Sequence, residues 1–425
     1  MDAVLDFINN NQLFTAIVLV IGLIGAIVGI ISFCMPKKEG QRTVVEKIIK
    51  VIHKTAHKIS PTAEDLFEYG EKALNNDNYD KAIKNFSKAI QLKPDYAEAY
   101  YNCGRIFYVK IKENYDKAIS DLSKAIELKP DYAEAYFFRG STFSTMKDNY
   151  NAISDLSKAI ELKPNYAEAY LSRGSTYFNN EEYDKAISDS TKAIELNPDD
   201  AVMYNMRGFT FLKKEDYDNA IFDLSKAIEL NPEDADAYLY RGTAYENKQE
   251  YDRGISDISK AIELKPDYAP AYYNRGVTFA KKEDYDNAIS DFSKVIELMP
   301  FAAAYYNRGL AYSKKDDYDN AISDLSKVIE LEPDYADAYQ NMGLMYYNVG
   351  IYQSGVHLDT ALVCFQKAID LRPEESDSYL WIGYVYLAMC NYNADNYPNA
   401  VEYFEIAAKS GNEEAQKWLN DNIPK

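Results

Sequence analysis

The chain has 425 residues, 47% hydrophobic and 27% charged, a composition that excludes a disordered polyelectrolyte. Its 47 Lys and Arg stand against 67 Asp and Glu, and the net charge of −20 excludes a general nucleic-acid binder, which needs a basic face. The four cysteines (Cys34, Cys103, Cys364, Cys390) form no Cys-x-x-Cys pair, so neither a disulfide framework nor a zinc module is expected.

After a short N-terminal tail (1–12), residues 13–34 form an apolar run of 22 residues inside a longer stretch, 7–36, that carries no charge. As a helix this run crosses a hydrocarbon core of about 30 Å. Fourteen of its residues are Leu, Ile, Val or Phe. At about −0.3 to −0.6 kcal/mol each they favour insertion by on the order of −4 to −8 kcal/mol. The residues before it hold Asp2 and Asp6 and no base, unlike the start of a secretory signal. Ile31-Ser32-Phe33-Cys34 loosely resembles a lipoprotein box, but Phe33 stands where a small residue is needed. A retained transmembrane helix is therefore expected. Residues 36–62 follow as a basic linker with Lys37, Lys38, Arg42, Lys47, Lys50, Lys54 and Lys58 against Glu39 and Glu46. Positive flanks stay cytoplasmic, so a single-pass topology with the acidic remainder in the cytoplasm is expected. Within the linker, 43–58 places Val44, Val45, Ile48, Ile49 and Ile52 on one helical face, suited to anionic headgroups or to self-association. Gly25-x-x-x-Gly29 also fits a homodimer through the span. His53 and His57 are read as solvated on that linker, not as metal ligands.

From residue 63 onward the chain repeats itself. Prolines recur at 94, 130, 164, 198, 232, 266, 300, 333 and 373. Each interval carries two stretches of helical periodicity, so each is a helix–turn–helix of about 34 residues. Asp131 with Glu134, and Asn165 with Glu168, are spaced as capping boxes for the first helices. Ten units are read, at 63–96, 97–132, 133–166, 167–200, 201–234, 235–268, 269–301, 302–335, 336–375 and 376–412. A closing helix with Trp418 lies in 413–425.

The unit at 133–166 has Tyr136, Arg139, Gly140, Phe143, Ala152, Leu156, Ala159 and Pro164 at positions 4, 7, 8, 11, 20, 24, 27 and 32. This pattern resembles the tetratricopeptide repeat (TPR) family, over about 360 residues. The resemblance implies an all-α solenoid, a right-handed superhelix of helix pairs, with a groove that binds polypeptide. Stacking of neighbours, which lets each unit bury its apolar face, holds such an array together. Ser190 in the fourth unit and Gly254 in the sixth depart from the family's apolar and alanine positions.

The family has an aliphatic residue at position 7, whereas here Arg139, Arg173, Arg207, Arg241, Arg275 and Arg308 stand there. Asp121, Asp155, Asp189, Asp223, Asp257, Asp291 and Asp324 recur in the second helices. They form a structural ladder, paired either within a unit or from Asp121 to Arg139 and onward. The first, ninth and tenth units have neither member.

In the family, positions 2, 5, 6, 9, 12 and 13 face the groove. Here position 5 holds Tyr101, Phe137, Asn205, Tyr273 and Tyr306, with Phe67 in the first unit, and position 6 holds Asn102, Asn274, Asn307 and Asn341. Aromatics supply contact area and amides can bond a peptide backbone. Position 2 is acidic in Glu64, Glu98, Glu134, Glu168, Asp236 and Asp337. The carboxylate clamp of chaperone-binding members needs Lys at positions 5 and 2, so only its Asn at position 6 is present. A neutral or basic protein or peptide partner is expected.

A membrane-anchored scaffold that recruits partners to a bilayer is the resulting reading. Alternatives are a receptor or co-chaperone without the full clamp, and an exported or lipid-anchored envelope protein. No segment remains for a catalytic domain, and no P-loop, nucleophile elbow, cofactor motif or metal cluster is seen, so no catalysis and no cofactor are expected.

Overall fold

The computed structural model describes residues 61–110, 114–352, 356–391 and 393–423. The apolar run 13–34, Gly25-x-x-x-Gly29, the linker face 43–58 and the histidine pair lie outside the described residues. Among the described residues no helix is long and apolar enough to cross a membrane. Residues 111–113 of the second unit and 353–355 of the ninth also lie outside.

The described residues are all-α. The chain divides into two compact units, one ending at Leu196 and one beginning at Asn197. The first holds α1 (Ala63–Leu74), α2 (Tyr79–Leu92), α3 (Ala97–Lys110), α4 (Tyr115–Leu128), α5 (Ala133–Thr145), α6 (Asn149–Leu162), α7 (Ala167–Asn179) and α8 (Tyr183–Leu196). The second holds α9 (Ala201–Lys213), α10 (Tyr217–Leu230), α11 (Ala235–Asn247), α12 (Tyr251–Leu264), α13 (Ala269–Lys281), α14 (Tyr285–Leu298), α15 (Ala302–Ser313), α16 (Tyr318–Leu331), α17 (Ala336–Tyr352), α18 (Leu358–Leu371), α19 (Ser376–Met389), α20 (Tyr397–Lys409) and α21 (Glu413–Asn422). Each odd helix up to α19 pairs with the one after it, and α21 closes the array by stacking Trp418 on Phe404, ring centroids 4.0 Å apart.

The turns inside the pairs are built by the backbone. At the end of α5 the Asp148 amide donates to the Phe143 carbonyl and the Lys147 amide to that of Ser144, the reciprocal pattern of a Schellman motif. Its left-handed residue is Lys147, at φ 62°, a place where glycine is usual. The same left-handed turn recurs at Asp77, Glu181, Glu215, Gln249, Glu283 and Asp316. Each costs roughly 1–2 kcal/mol of backbone strain, which the packed helices on either side offset. Asp148 then caps α6, its carboxylate accepting from the Asn151 amide at 3.3 Å.

The first helices start differently from the sequence expectation. Tyr132 and Tyr166 are the N-caps of α5 and α7, with no side-chain capping bond, so Asp131/Glu134 and Asn165/Glu168 are not capping boxes. The Pro-Asp-Tyr turn brings the tyrosine amide onto the preceding lysine carbonyl (Tyr132 to Lys129, 3.1 Å), which moves the helix start one residue on. Glu134 is thereby freed to meet Lys163 at 3.0 Å. A capping box does form at α1, between Thr62 and Asp65.

Packing follows the small residues. A methyl group on Gly140 would lie 2.9 Å from the Leu156 side chain and 3.1 Å from its backbone nitrogen. The helices of a pair can approach this closely only where Cβ is absent. Leu156, Ala152 and Ala159 are fully buried behind that contact. In the fourth repeat the equivalent of Leu156 is Ser190, fully buried, with a hydroxyl that finds no hydrogen-bond partner. In the sixth, Gly254 lets the Gly242 carbonyl approach within 2.9 Å of where a Cβ would be, so alanine there would clash rather than fill space.

Candidate functional site

The arginines settle into one arrangement. Arg139 donates from Nε and Nη2 to both oxygens of Asp155 at 2.7 and 2.9 Å, within its own repeat. Its remaining Nη1 donates to the Ser123 hydroxyl of the preceding repeat at 2.9 Å. Arg173 does the same with Asp189 and Ser157. In the second compact unit Arg241 takes Asp257 and Ser225, Arg275 takes Asp291 and Ser259, and Arg308 takes Asp324 and Ser293. Arg207 holds Asp223 in the same two-pronged fork. The acid–base register is therefore within the repeat, and in five of the six rungs serine supplies the link to the previous one. The hydrogen bonds it donates to Asp189 hold the Arg173 guanidinium above its usual pKa despite burial. Asp121 stands apart, because Cys103 occupies the arginine position of its repeat.

The position-5 aromatics make intramolecular contacts. Tyr101 packs on Tyr132, Phe137 on Tyr166, Tyr273 on Phe301 and Tyr306 on Tyr335, with ring centroids 4.7 to 5.5 Å apart. Burial pushes the Tyr101, Tyr132 and Tyr166 hydroxyls above their usual pKa, and that of Tyr306 up to about 12. Two of the asparagines serve the same stack. The Asn307 amide donates to the Tyr273 hydroxyl at 2.8 Å and Asn341 to Tyr306 at 3.0 Å. Asn274 reaches Thr243 at 3.3 Å and Asn205 reaches Asp234 at 2.7 Å, while Asn102 is buried. Three of the position-2 acids meet lysines: Glu64 with Lys93, Glu98 with Lys129 and Glu134 with Lys163, at 3.0 to 3.5 Å. The groove edge is thus less negative than its composition suggests.

One cavity opens on these positions. It holds about 330 Å³ and is lined by Leu74, Asp77, Tyr79, Arg105, Ile106, Val109 and Phe138. Three successive repeats build it: Leu74 is position 12 of the first, Arg105 and Val109 are positions 9 and 13 of the second, and Phe138 is position 6 of the third. Tyr79 donates its hydroxyl to Asp77, which the left-handed turn presents at the rim. Arg105 lies over the Tyr101 ring, 5.7 Å from its centroid, and has no ion-pair partner among the described residues. An apolar floor with one unneutralised guanidinium suits an apolar side chain beside a hydrogen-bond acceptor. Position 5 and 6 residues had been singled out in the sequence. Beside Phe138 at position 6, positions 9, 12 and 13 carry this cavity, and positions 9 and 12 share a helical stripe with position 5. Among the described residues no group of three or more His, Cys, Asp or Glu is placed to hold a metal.

Family models agree with this architecture. Those described as TPR repeat or tetratricopeptide repeat match residues 76–110, 111–147, 146–181, 210–249, 167–200, 269–301, 302–335 and 235–268, together more than half of the chain. No curated protein matches the chain by sequence. Among solved structures it is similar to YrrB, described as a TPR protein with an unusual peptide-binding site, at 29% identity, covering 46% of this chain and 97% of that one with a TM-score of 0.38. It is also similar to MamA at 31% identity, covering 37% and 93% with a TM-score of 0.35. MamA from Desulfovibrio magneticus RS-1 matches at 25% identity, covering 39% and 94% with a TM-score of 0.37. With the paired helices, the glycine contacts and the repeat spacing, the family-model matches show that the chain belongs to the tetratricopeptide repeat family.

Proposed function

We propose that the protein is a non-catalytic scaffold that binds an extended segment of a partner polypeptide and holds it at a membrane surface. The observation that carries the binding part is the cavity between α1, α3 and α5. An apolar partner side chain would enter between Leu74, Val109 and Phe138, and a main-chain carbonyl would accept from Arg105. The tyrosine ring faces along the same stripe continue the contact, and the lysine-paired acids at position 2 leave the edge suited to a neutral or weakly basic segment.

Peptides selected from a displayed library against the full-length protein test this. Val109→Asp and Arg105→Gln should each weaken the selected peptides about tenfold or more, the loss expected of a central contact of about 1.4 kcal/mol. Phe222→Ser, on the far-exposed face of α10, should change nothing. Equal binding by all three variants would remove the cavity from the interface.

The membrane part rests on the apolar run at 13–34 and its basic flank. Deleting 13–34 should move the protein from the membrane pellet to the supernatant. In sealed vesicles, protease should digest the repeats only when the cytoplasmic face points outward. Repeats cut solely from the other face would reverse the topology and favour an exported protein.

A further inference from the structure

The second repeat keeps two parts of the arginine rung and lacks the third. Ser87 precedes Cys103 by sixteen residues, as Ser123 precedes Arg139. Gly104 faces Leu122 just as Gly140 faces Leu156, with Cβ-to-side-chain approaches of 2.6 and 2.9 Å, so Asp121 stands where Asp155 stands. Burial and the Asp121 charge push the Cys103 thiol up to about 12, and the nearby Ser87 hydroxyl partly opposes them. Cysteine has neither the guanidinium nor most of the arginine stem. Asp121 consequently has no hydrogen bond or ion pair among the described residues, and burial lifts its carboxyl to about 6, Lys117 only partly offsetting this. Asp121 is the sole ladder aspartate whose repeat has no arginine at position 7.

Cys103 is 2% exposed, but Ser87, Tyr100 and Asp121 around it are half-buried, and in the complete rungs the arginine side chain at this position is 16–20% exposed. Aromatic rings flank it there: Arg173 lies 5.7 and 5.9 Å from the Tyr170 and Tyr177 centroids. Tyr100 and Phe107 hold those two positions in the second repeat. Residue 103 is two residues beyond Tyr101, about 200° around α3, so the position is turned away from the candidate groove.

We propose that Ser87, Cys103 and Asp121, between Tyr100 and Phe107, form a receptor for the guanidinium of an arginine side chain presented by another polypeptide, which completes in trans the rung that Arg139 completes within its own chain. The carboxylate accepts the two-pronged fork and the Ser87 hydroxyl accepts the third donor. A lysine ammonium cannot reproduce that fork. The site does not depend on the groove cavity, so either can fail alone.

Amide hydrogen exchange of the full-length protein in detergent tests the proposal, with N-acetyl-arginine methylamide as probe. The probe should slow exchange in α3 and α4 by roughly threefold at about twice its dissociation constant. The neutral citrulline analogue and N-acetyl-lysine methylamide should not, and α13 and α14, whose Arg275–Asp291 rung is complete, should be unaffected. Asp121→Asn should abolish the effect. Cys103→Arg should show slowed exchange without probe and no further response. Unchanged wild-type exchange at tens of millimolar probe, or an equal effect in Asp121→Asn or in α13 and α14, overturns the proposal. Protection by free arginine but not by the capped residue would make the occupant a small molecule and overturn it too.

Discussion

Replacing Asp291 by alanine is expected to destabilise the seventh repeat by about 3–5 kcal/mol, the loss typical when one partner of a buried ion pair is removed. The Asp291 side chain is 6% exposed and accepts both prongs of Arg275 at 2.8 Å. Without it the guanidinium, 20% exposed, keeps only Ser259 and the rings of Tyr272 and Phe279. The triple variant Arg275→Met, Asp291→Leu, Ser259→Ala should behave oppositely, between neutral and about 1–4 kcal/mol more stable, because no charge is then desolvated. The two results together say what the rung is for. If the apolar triad is as stable and as well ordered as the parent, the pair sets which helix faces which and adds little net energy. Unfolding of a repeat array is not a single two-state event, so the measurement is hydrogen exchange resolved to α12, α13 and α14 along a urea series. A single variant within 1 kcal/mol of the parent would sink the argument.

Phe365→Ala in α18 should cost about 3–5 kcal/mol, lost burial plus an unfilled cavity. Phe365 is fully buried among Leu358, Ala361, Ile369, Ile382 and Val385. Its ring lies against Gly343 of α17, where an added Cβ would meet Cε1 at 2.8 Å and Cζ at 2.9 Å. Approached from the other side, Gly343→Ala should cost about 1–3 kcal/mol from overpacking, reduced by the roughly 1 kcal/mol that alanine gains over glycine in a helix. Combining Gly343→Ala with Phe365→Leu should recover part of that loss, since the smaller side chain makes room for the methyl group. Strict additivity in this double-mutant cycle would mean that the two residues do not share the contact. Exchange rates in α17 and α18 report the outcome.

The repeat count, the helix pairs and the closing helix were legible in the amino-acid order. Proline spacing and helical periodicity depend on neighbours a few residues apart, and these survive any change in how the helices pack. The need for glycine opposite a large side chain was legible for the same reason: Gly140 and Leu156 recur in phase. The ladder was half legible. Arg139 and Asp155 were seen to recur together, but Asp121 and Asp155 were both open as the partner of Arg139. Only the placement of α6 against α5, with Ser123 of α4 on the other side, selected Asp155.

The candidate site shows the same division more sharply. The sequence assigns Tyr273 and Asn307 to groove positions, yet their bond to each other joins side chains 34 residues apart. The cavity depends on what Leu74, Arg105, Val109 and Phe138 leave unfilled, from three helices. Local order along the chain, then, determined that this protein is an array of helix pairs and which residues share each helical stripe. Tertiary structure decided which acid each arginine holds and what space Leu74, Arg105, Val109 and Phe138 leave open between their helices. Those depend on distances of a few ångströms between helices, and periodicity within one helix carries no information about such distances.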